Sequence, residues 1–446
     1  MELFLIKGGQ LILSLSLLIV LHELGHFIPA KLFKTRVEKF YLFFDVKFSL
    51  FKKKIGETVY GIGWLPLGGY VKISGMIDES MDTEQMAQPA QPWEFRAKPT
   101  WQRLIIMLGG VTVNLVLGFL IYMMVMFVWG KTVITNDTLA YGLAPTPTTA
   151  ALGFDVGDKI SSVDGIVLDD VMDINKWLFL RDVSTVEVVR ADGTNVSVAI
   201  PEDFGKQLFA AGEMIPFVPY IPAIIDRVVV GSSAEAAGLL ANDQIIGVDG
   251  TAINPWHPTT IPPVQVSNAF KQRQSEKVVM QISRDNIISE IEIPVAMGDT
   301  LGIYYKGTFP KATTYTYDVG QSIKEGFNYG YWTLYDYIAQ FKFVFTKKGA
   351  SQLGGFGTIG SLFPAEWNWR VFWERTALIS IILAFMNVLP IPALDGGHVV
   401  FLTYEMLTGR KPHQKVLEYA QMIGLFLLLG LFVFANGNDI YRFILS

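Results

Sequence analysis

The 446-residue chain contains no cysteine, which removes thiolate metal sites, disulfides and thiol nucleophiles together. Any transition metal must therefore rest on His, Asp or Glu, and histidine is itself scarce, with five in the chain. Charge is scarce too. Charged residues make up 17% of the chain against 51% hydrophobic ones, too apolar for an ordinary soluble protein, and the mean hydropathy is positive at +0.35. The net charge is −5 and the basic residues form no long tract, so nothing points to a nucleic-acid partner. A cleavable signal peptide is not expected either: Glu2 and Lys7 make no basic start, and no small-x-small pattern follows Val20.

Two of the few histidines fall four residues apart, in His22-Glu23-Leu24-Gly25-His26. Residues four apart share a helix face, so both rings can offer a nitrogen to one zinc ion with Glu23 beside them as a base, the HExxH pattern. Without a metal these would be two ordinary helix histidines. The motif closes an uncharged run from Gly8 to Leu21, which is short as a membrane span unless the helix continues to about Leu32.

Lys31, Lys34, Arg36, Lys39, Lys47 and Lys52-Lys53-Lys54 follow, and by the positive-inside rule this loop is cytoplasmic and the N-terminus lies outside. Phe40 to Phe51 and Val59 to Ile73 read as strands and tight turns. The stretch Gly61 to Val71, too broken for a helix, is either an ordinary hairpin or β-structure dipping into the membrane boundary beside the metal. Leu104 to Gly130 is uncharged and long enough to cross. Asn114 is its one strongly polar side chain, with helix packing or a place near the metal both open.

From about Lys131 to Tyr305 the composition turns soluble and repeats itself. Ala150-Ala151-Leu152-Gly153, Gly157-Asp158-Lys159-Ile160 and Val163-Asp164-Gly165 are echoed by Ala236-Ala237-Gly238-Leu239, Asn242-Asp243-Gln244-Ile245 and Val248-Asp249-Gly250. Each copy is followed by two strands about a turn, at Asp192-Gly193 and at Asp285-Asn286. An extra loop with Trp256-His257-Pro258 lengthens the second copy. The pattern resembles the PDZ domain, whose grooves take an added strand or a chain end; the alternative is a pair of β-rich spacers. Asp318 to Lys348 spreads aromatic residues among charged ones, as expected of a helix at the headgroup level.

Thr376 to Leu394 is the third uncharged segment and leads into Asn387-Val388-Leu389-Pro390-Ile391-Pro392-Ala393-Leu394-Asp395-Gly396-Gly397-His398. The prolines and glycines must unwind the helix, and an ionisable Asp395 at the end of a span needs a partner. Entering from outside, this span brings Asp395 to the depth of His22 and His26. Met422 to Ala435 returns as a fourth span. A catalytic zinc keeps three protein ligands and one open position, and His22, His26 and Asp395 supply the three. His398 is a rival ligand, Glu405 is either near the site or an ordinary polar helix residue, and His257 and His413 read as loop residues.

HELGH at the end of a first span, a PDZ-containing outer region and Asn387-x-x-Pro390-x-x-x-Leu394-Asp395-Gly396 in a later span together resemble the site-2 protease family of intramembrane zinc metalloproteases, most closely its bacterial regulator of sigma-E protease (RseP) type. The resemblance covers nearly the whole chain and departs from the family at Val111, where the pattern Gly-Pro-x-x-Asn commonly has its proline. It implies a Zn2+ protease of the bacterial inner membrane that cuts single-span membrane proteins already shortened on their outer side, such as an anti-sigma factor or leftover signal peptides, with the PDZ pair as a size filter. Glu23 would be the base, Asn387 would help hold the substrate or the oxyanion, and the stretch with Gly61, Ile62, Gly63, Gly68, Gly69 and Tyr70 would hold the substrate as an added strand.

The expected fold is a polytopic α-helical membrane protein with four transmembrane helices and membrane-associated β-structure, carrying two β-rich PDZ domains between spans two and three. The expected divisions are a first span with the motif at 1–36, a cytoplasmic-side loop with β-structure at 37–100 and a second span at 101–130. PDZ domains follow at 131–220 and 221–310, then interfacial helices at 311–374. A third span at 375–398, a cytoplasmic loop at 399–420 and a fourth span at 421–446 complete the chain. The N-terminus and PDZ domains would be periplasmic, the lipid bilayer the chief surroundings and the site toward the cytoplasm. The competing function is a non-enzymatic membrane PDZ scaffold with a structural metal, against which Glu23 counts, since a structural site needs no base.

Overall fold

A computed structural model describes residues 2–66, 68–76, 88–257, 259–272, 276–294, 300–306 and 309–445; Leu67, within the stretch Gly61 to Val71, and Pro258 lie outside them. The chain divides into two compact units, Met1–Gly130 with Thr316–Ser446, and Lys131–Tyr315.

In the first unit α1 (Glu2–Leu32) runs unbroken through the HExxH motif. Four strands follow, β1 (Val37–Leu42), β2 (Phe44–Ile55), β3 (Thr58–Leu65) and β4 (Tyr70–Ile73), in the sheet order β2-β3-β1-β4. Next comes α2 (Thr100–Trp129). After the second unit the chain forms α3 (Val319–Phe341), α4 (Lys347–Gln352), α5 (Phe356–Ser361) and α6 (Trp369–Val388). It ends in α7 (Asp395–Thr408) and α8 (Gln414–Leu445). Among the described residues, four helical stretches are long and apolar enough to cross a membrane: Leu5–Leu32, Thr100–Trp129, Trp369–Val388 and Gln414–Ile444.

α1 and α2 approach backbone to backbone. A Cβ on Gly25 would run into the Gly109 carbonyl, and one on Gly109 into the Gly25 carbonyl, the small-residue contact by which apolar helices close on each other without a hydrophobic drive. Polar pairs add to it: Thr376 Oγ1 donates to Ser14 Oγ at 2.9 Å and Ser380 Oγ to the Asn114 carbonyl at 2.6 Å, both buried. These contacts fix α1, α2 and α6 as one block, on which the site is built.

One alternative drops out and two expectations are corrected. β3 and β4 do not form the ordinary hairpin, one of the two readings of residues 61–71, because β3 pairs parallel with β1 and β4 pairs antiparallel with the other side of β1. The third span stops at Val388, since Pro390 and Pro392 lack the N–H a continuing helix would need; Asp395 opens a separate helix, α7, which takes the end of the expected span and runs into the expected loop at 399–420. The fourth helix begins at Gln414 rather than near Met422.

In the second unit the sequence repeat becomes a structural one. The first lobe has a sheet of β6 (Lys159–Val163), β7 (Thr185–Val189) and β8 (Asn195–Ala199); the second has β9 (Gln244–Val248), β10 (Lys277–Arg284) and β11 (Ile287–Pro294). Arg190 bonds the buried Asp158 at 2.8 Å and the Gly153 carbonyl at 2.6 Å, and Arg284 repeats this with Asp243 and Gly238 at 2.6 and 2.8 Å. Asp164 and Asp249 both turn at φ 48° and accept from amides near the start of the next strand pair, those of Thr185 and Val279. The repeated Asp-Gly and Gly/Asn-Asp pairs are therefore turn and ion-pair residues. β5 (Lys131–Val133) pairs with β12 (Thr313–Tyr315), so the unit begins and ends at one ribbon.

Candidate metal centre

His22, Glu23 and His26 lie on one stretch of α1, and Asp395 is the first residue of α7. The turn that delivers Asp395 is tightly specified. Ala393 holds φ 76° and donates its N–H to Gln421 Oε1 of α8 at 3.2 Å. A Cβ on Gly396 would strike the Val388 and Leu389 carbonyls, and one on Gly397 would come within 2.6 Å of the Ile391 carbonyl. That crowding is why Asp395 is followed by two glycines.

His22 Nε2 lies 3.3 Å and His26 Nε2 3.4 Å from Asp395 Oδ2, and the two nitrogens are 3.2 Å apart. Donors about 2.0–2.1 Å from a tetrahedral zinc lie about 3.3–3.4 Å from each other, so this triangle has the size of three ligands around one ion. Asp395 Oδ2 is buried without a hydrogen-bond partner, an expensive state for a carboxylate oxygen that a cation relieves. The donor set fits zinc, and it is a group of His and carboxylate ligands that could hold a metal.

The outer nitrogens set the tautomers. His26 Nδ1 donates to the Ile106 carbonyl at 2.8 Å, leaving Nε2 as a lone pair. His22 Nδ1 lies 3.1 Å from the Asn114 amide, whose Oδ1 is buried and unpaired. Turning that amide over brings Oδ1 to His22 Nδ1–H and frees His22 Nε2 for a metal. Gly110 faces both rings, and a Cβ there would collide with His26 Nε2 and lie 2.6 Å from His22 Cε1.

Glu23 accepts from the Val71 amide of β4. Gly69, just before that strand, packs on the same helix: a Cβ there would meet Ile19 at 2.6 Å and Glu23 Cγ at 3.5 Å. The triad and Glu23 open into a cleft of about 170 Å³, whose lining includes Gly69, Tyr70, Asn387, His398 and Gln421.

Of the residues singled out from sequence, the structure thus gathers His22, Glu23, His26, Asp395, Asn387, Gly69 and Tyr70. Gly61, Ile62 and Gly63 are not brought there. They lie in β3 between β1 and β2, with Gly61 opposite both Tyr41 and Lys52, so no free edge remains for an added strand. Gly61 keeps its strand close to the Tyr41 ring, and Gly68 packs on the Phe44 ring. His398 lines the cleft outside the donor triangle. Glu405 belongs elsewhere: its Oε1 pairs with Arg103 Nη2 at 2.5 Å and accepts from Thr100 Oγ1 at 3.1 Å. His257 and His413 accept from backbone amides of their own turns.

Residues 10–431 match peptidase family M50. The chain is 27% identical to the regulator of sigma-E protease RseP of Escherichia coli and 27% identical to the regulator of sigma E protease of Haemophilus influenzae, each over 98% of this chain and 99% of the relative. It is 28% identical to a Neisseria meningitidis protein provisionally named a zinc metalloprotease, over 97% and 98% of the two chains. With a two-histidine, one-aspartate donor triangle beside a glutamate base and a family match across nearly its whole length, the chain belongs to peptidase family M50, the site-2 protease family, and is a membrane zinc metalloprotease.

Proposed function

We propose that the chain hydrolyses a peptide bond within the transmembrane segment of single-span proteins of the bacterial inner membrane, after these have been shortened on their outer side. The observation that carries this reading is the donor triangle of His22, His26 and Asp395 beside Glu23, held between helices apolar enough to span a membrane. Zinc bound there supplies Lewis acidity, bringing the pKa of water to about 7 and polarising a carbonyl. Glu23 takes the proton of the attacking water and passes it to the leaving amine nitrogen. The Val71 amide steadies its carboxylate in that position.

A helical substrate hides its amides in its own hydrogen bonds and must be unwound before attack. β4 is the strand that can take it, being an edge strand within reach of Glu23, and pairing there would extend the sheet by one strand. Asn387, in the last turn of α6, lines the cleft where a substrate carbonyl or an oxyanion would need a donor. The likeness to two regulators of sigma-E protease favours an anti-sigma factor as substrate, with leftover signal peptides as a second class. The two β-rich lobes act as PDZ domains on the periplasmic side and exclude substrates with bulky outer parts. The basic loop after α1 orients the site toward the cytoplasm.

The test is zinc content and cleavage of a single-span substrate by detergent-purified protein. Glu23→Gln is expected to keep one zinc and lose cleavage, and Asp395→Ala to lose both. Cleavage surviving in Glu23→Gln would sink the mechanism, and metal without cleavage of any substrate in the wild type would favour a scaffold.

A further inference from the structure

A second cavity of about 100 Å³ lies against the catalytic cleft, and Met76, His398 and Gln421 line both. Its remaining walls are mostly apolar, with Phe95, Phe401, Leu402 and Leu417 among them. The charged groups that border it are already engaged: Arg103 with Glu405 at 2.5 Å, and Arg96 with Glu94 at 2.6 Å. Among the described residues the cavity therefore offers no open charge to a ligand, yet it shares part of its wall with the cleft that holds Glu23 and the donor triangle.

We propose that this cavity is the subsite for a large apolar side chain on one of the two residues flanking the scissile bond, Leu, Met or Phe rather than a small or charged residue. The inference rests on the protease reading above. A substrate drawn from a membrane span carries chiefly apolar side chains, and unwinding it beside a polar cleft would leave one of them in water. An adjoining apolar cavity receives that side chain and so fixes which bond faces Glu23. Hydrophobic pockets discriminate by fit, about 10–200-fold for a methylene.

Leu417 is the wall residue to vary, because it sits half-buried on α8 and can change size without overfilling the core. The full chain would be assayed on single-span substrates carrying Ala, Leu or Phe at each residue flanking the mapped cut, with zinc content measured in parallel. The wild type is expected to favour Leu over Ala at one of the two positions by about tenfold or more in kcat/KM. Leu417→Trp should reverse that preference and Leu417→Ala should move it toward Phe, both with zinc retained. Opposite shifts from opposite changes are not what a destabilised protein gives. The proposal is overturned if the wild type shows no preference at either position, or if both variants keep the wild-type ratios. Absence of any cleavage by the wild type would instead count against the protease reading.

Discussion

Asn114 and Gly110 serve the two histidines without being ligands. Gly110 leaves room for both imidazoles, and Asn114 faces the outer nitrogen of His22. If Asn114 acts by accepting from His22 Nδ1–H, an aspartate can replace it and an apolar side chain cannot. Asn114→Leu is expected to weaken zinc binding by about 10–100-fold, the usual cost of losing such an orienting partner, while Asn114→Asp should stay near wild type. Competition with a chromophoric chelator measures both, and equal losses in the two variants would reduce Asn114 to a packing residue. The ligands themselves are legible in the sequence, because an i, i+4 histidine pair and a lone aspartate are costly in apolar segments. Gln421 is not: a single amide at the start of an apolar helix has no pattern, and its bond to Ala393 exists only once α8 has packed on the turn before Asp395.

Pairing between elements is where the sequence is least informative. Alternation marks β1 to β4 as strands, but it says nothing of order, and β1 inserts between β3 and β4 so that only the later part of the glycine-rich stretch reaches the site. In the same way α7 is hidden by the glycines at its start and by the basic residues that follow it. What holds α7 to α2 is the pair Arg103–Glu405, with both side chains under 10% exposed. Burial works to raise the Glu405 carboxyl, but the bond and charge of Arg103 outweigh it and hold the group below its ordinary value of 4.5. A lowered carboxyl contributes stability that is present above its unfolded pKa and lost as pH falls through the folded value. Thermal unfolding in detergent is thus expected to show a loss below about pH 4.5 that Glu405→Gln lacks. At neutral pH that variant should be less stable by about 3–5 kcal/mol, because it leaves the buried Arg103 without a counter-charge, with zinc content unchanged. A variant as stable as wild type at pH 7 would mean that the pair is replaceable by packing.

The second unit is inserted so that its removal need not break the first. Lys131 and Tyr315 stand opposite each other in the β5–β12 ribbon, which places their Cα atoms about 4.5–5.5 Å apart, so Gly130 and Thr316 can be joined by a few flexible residues. The unit has its own core: Val278, Met280, Ile282 and Ile293 are fully buried in one lobe, and Phe154 meets Phe217 edge to face in the other. Residues 131–315 alone are therefore expected to be soluble and to unfold cooperatively, as measured by circular dichroism. The chain lacking them should still bind one zinc and cut a trimmed single-span substrate, since His22, Glu23, His26 and Asp395 all lie in the other unit. The informative comparison is with an untrimmed substrate that keeps a folded outer domain. If the lobes exclude by size, the shortened protease should cut it while the full chain does not. If the lobes instead recruit substrate through their grooves, cleavage of the trimmed substrate should fall and the untrimmed one should remain intact. The two roles thus predict opposite changes from one deletion, and the ratio of the two cleavage rates decides between them.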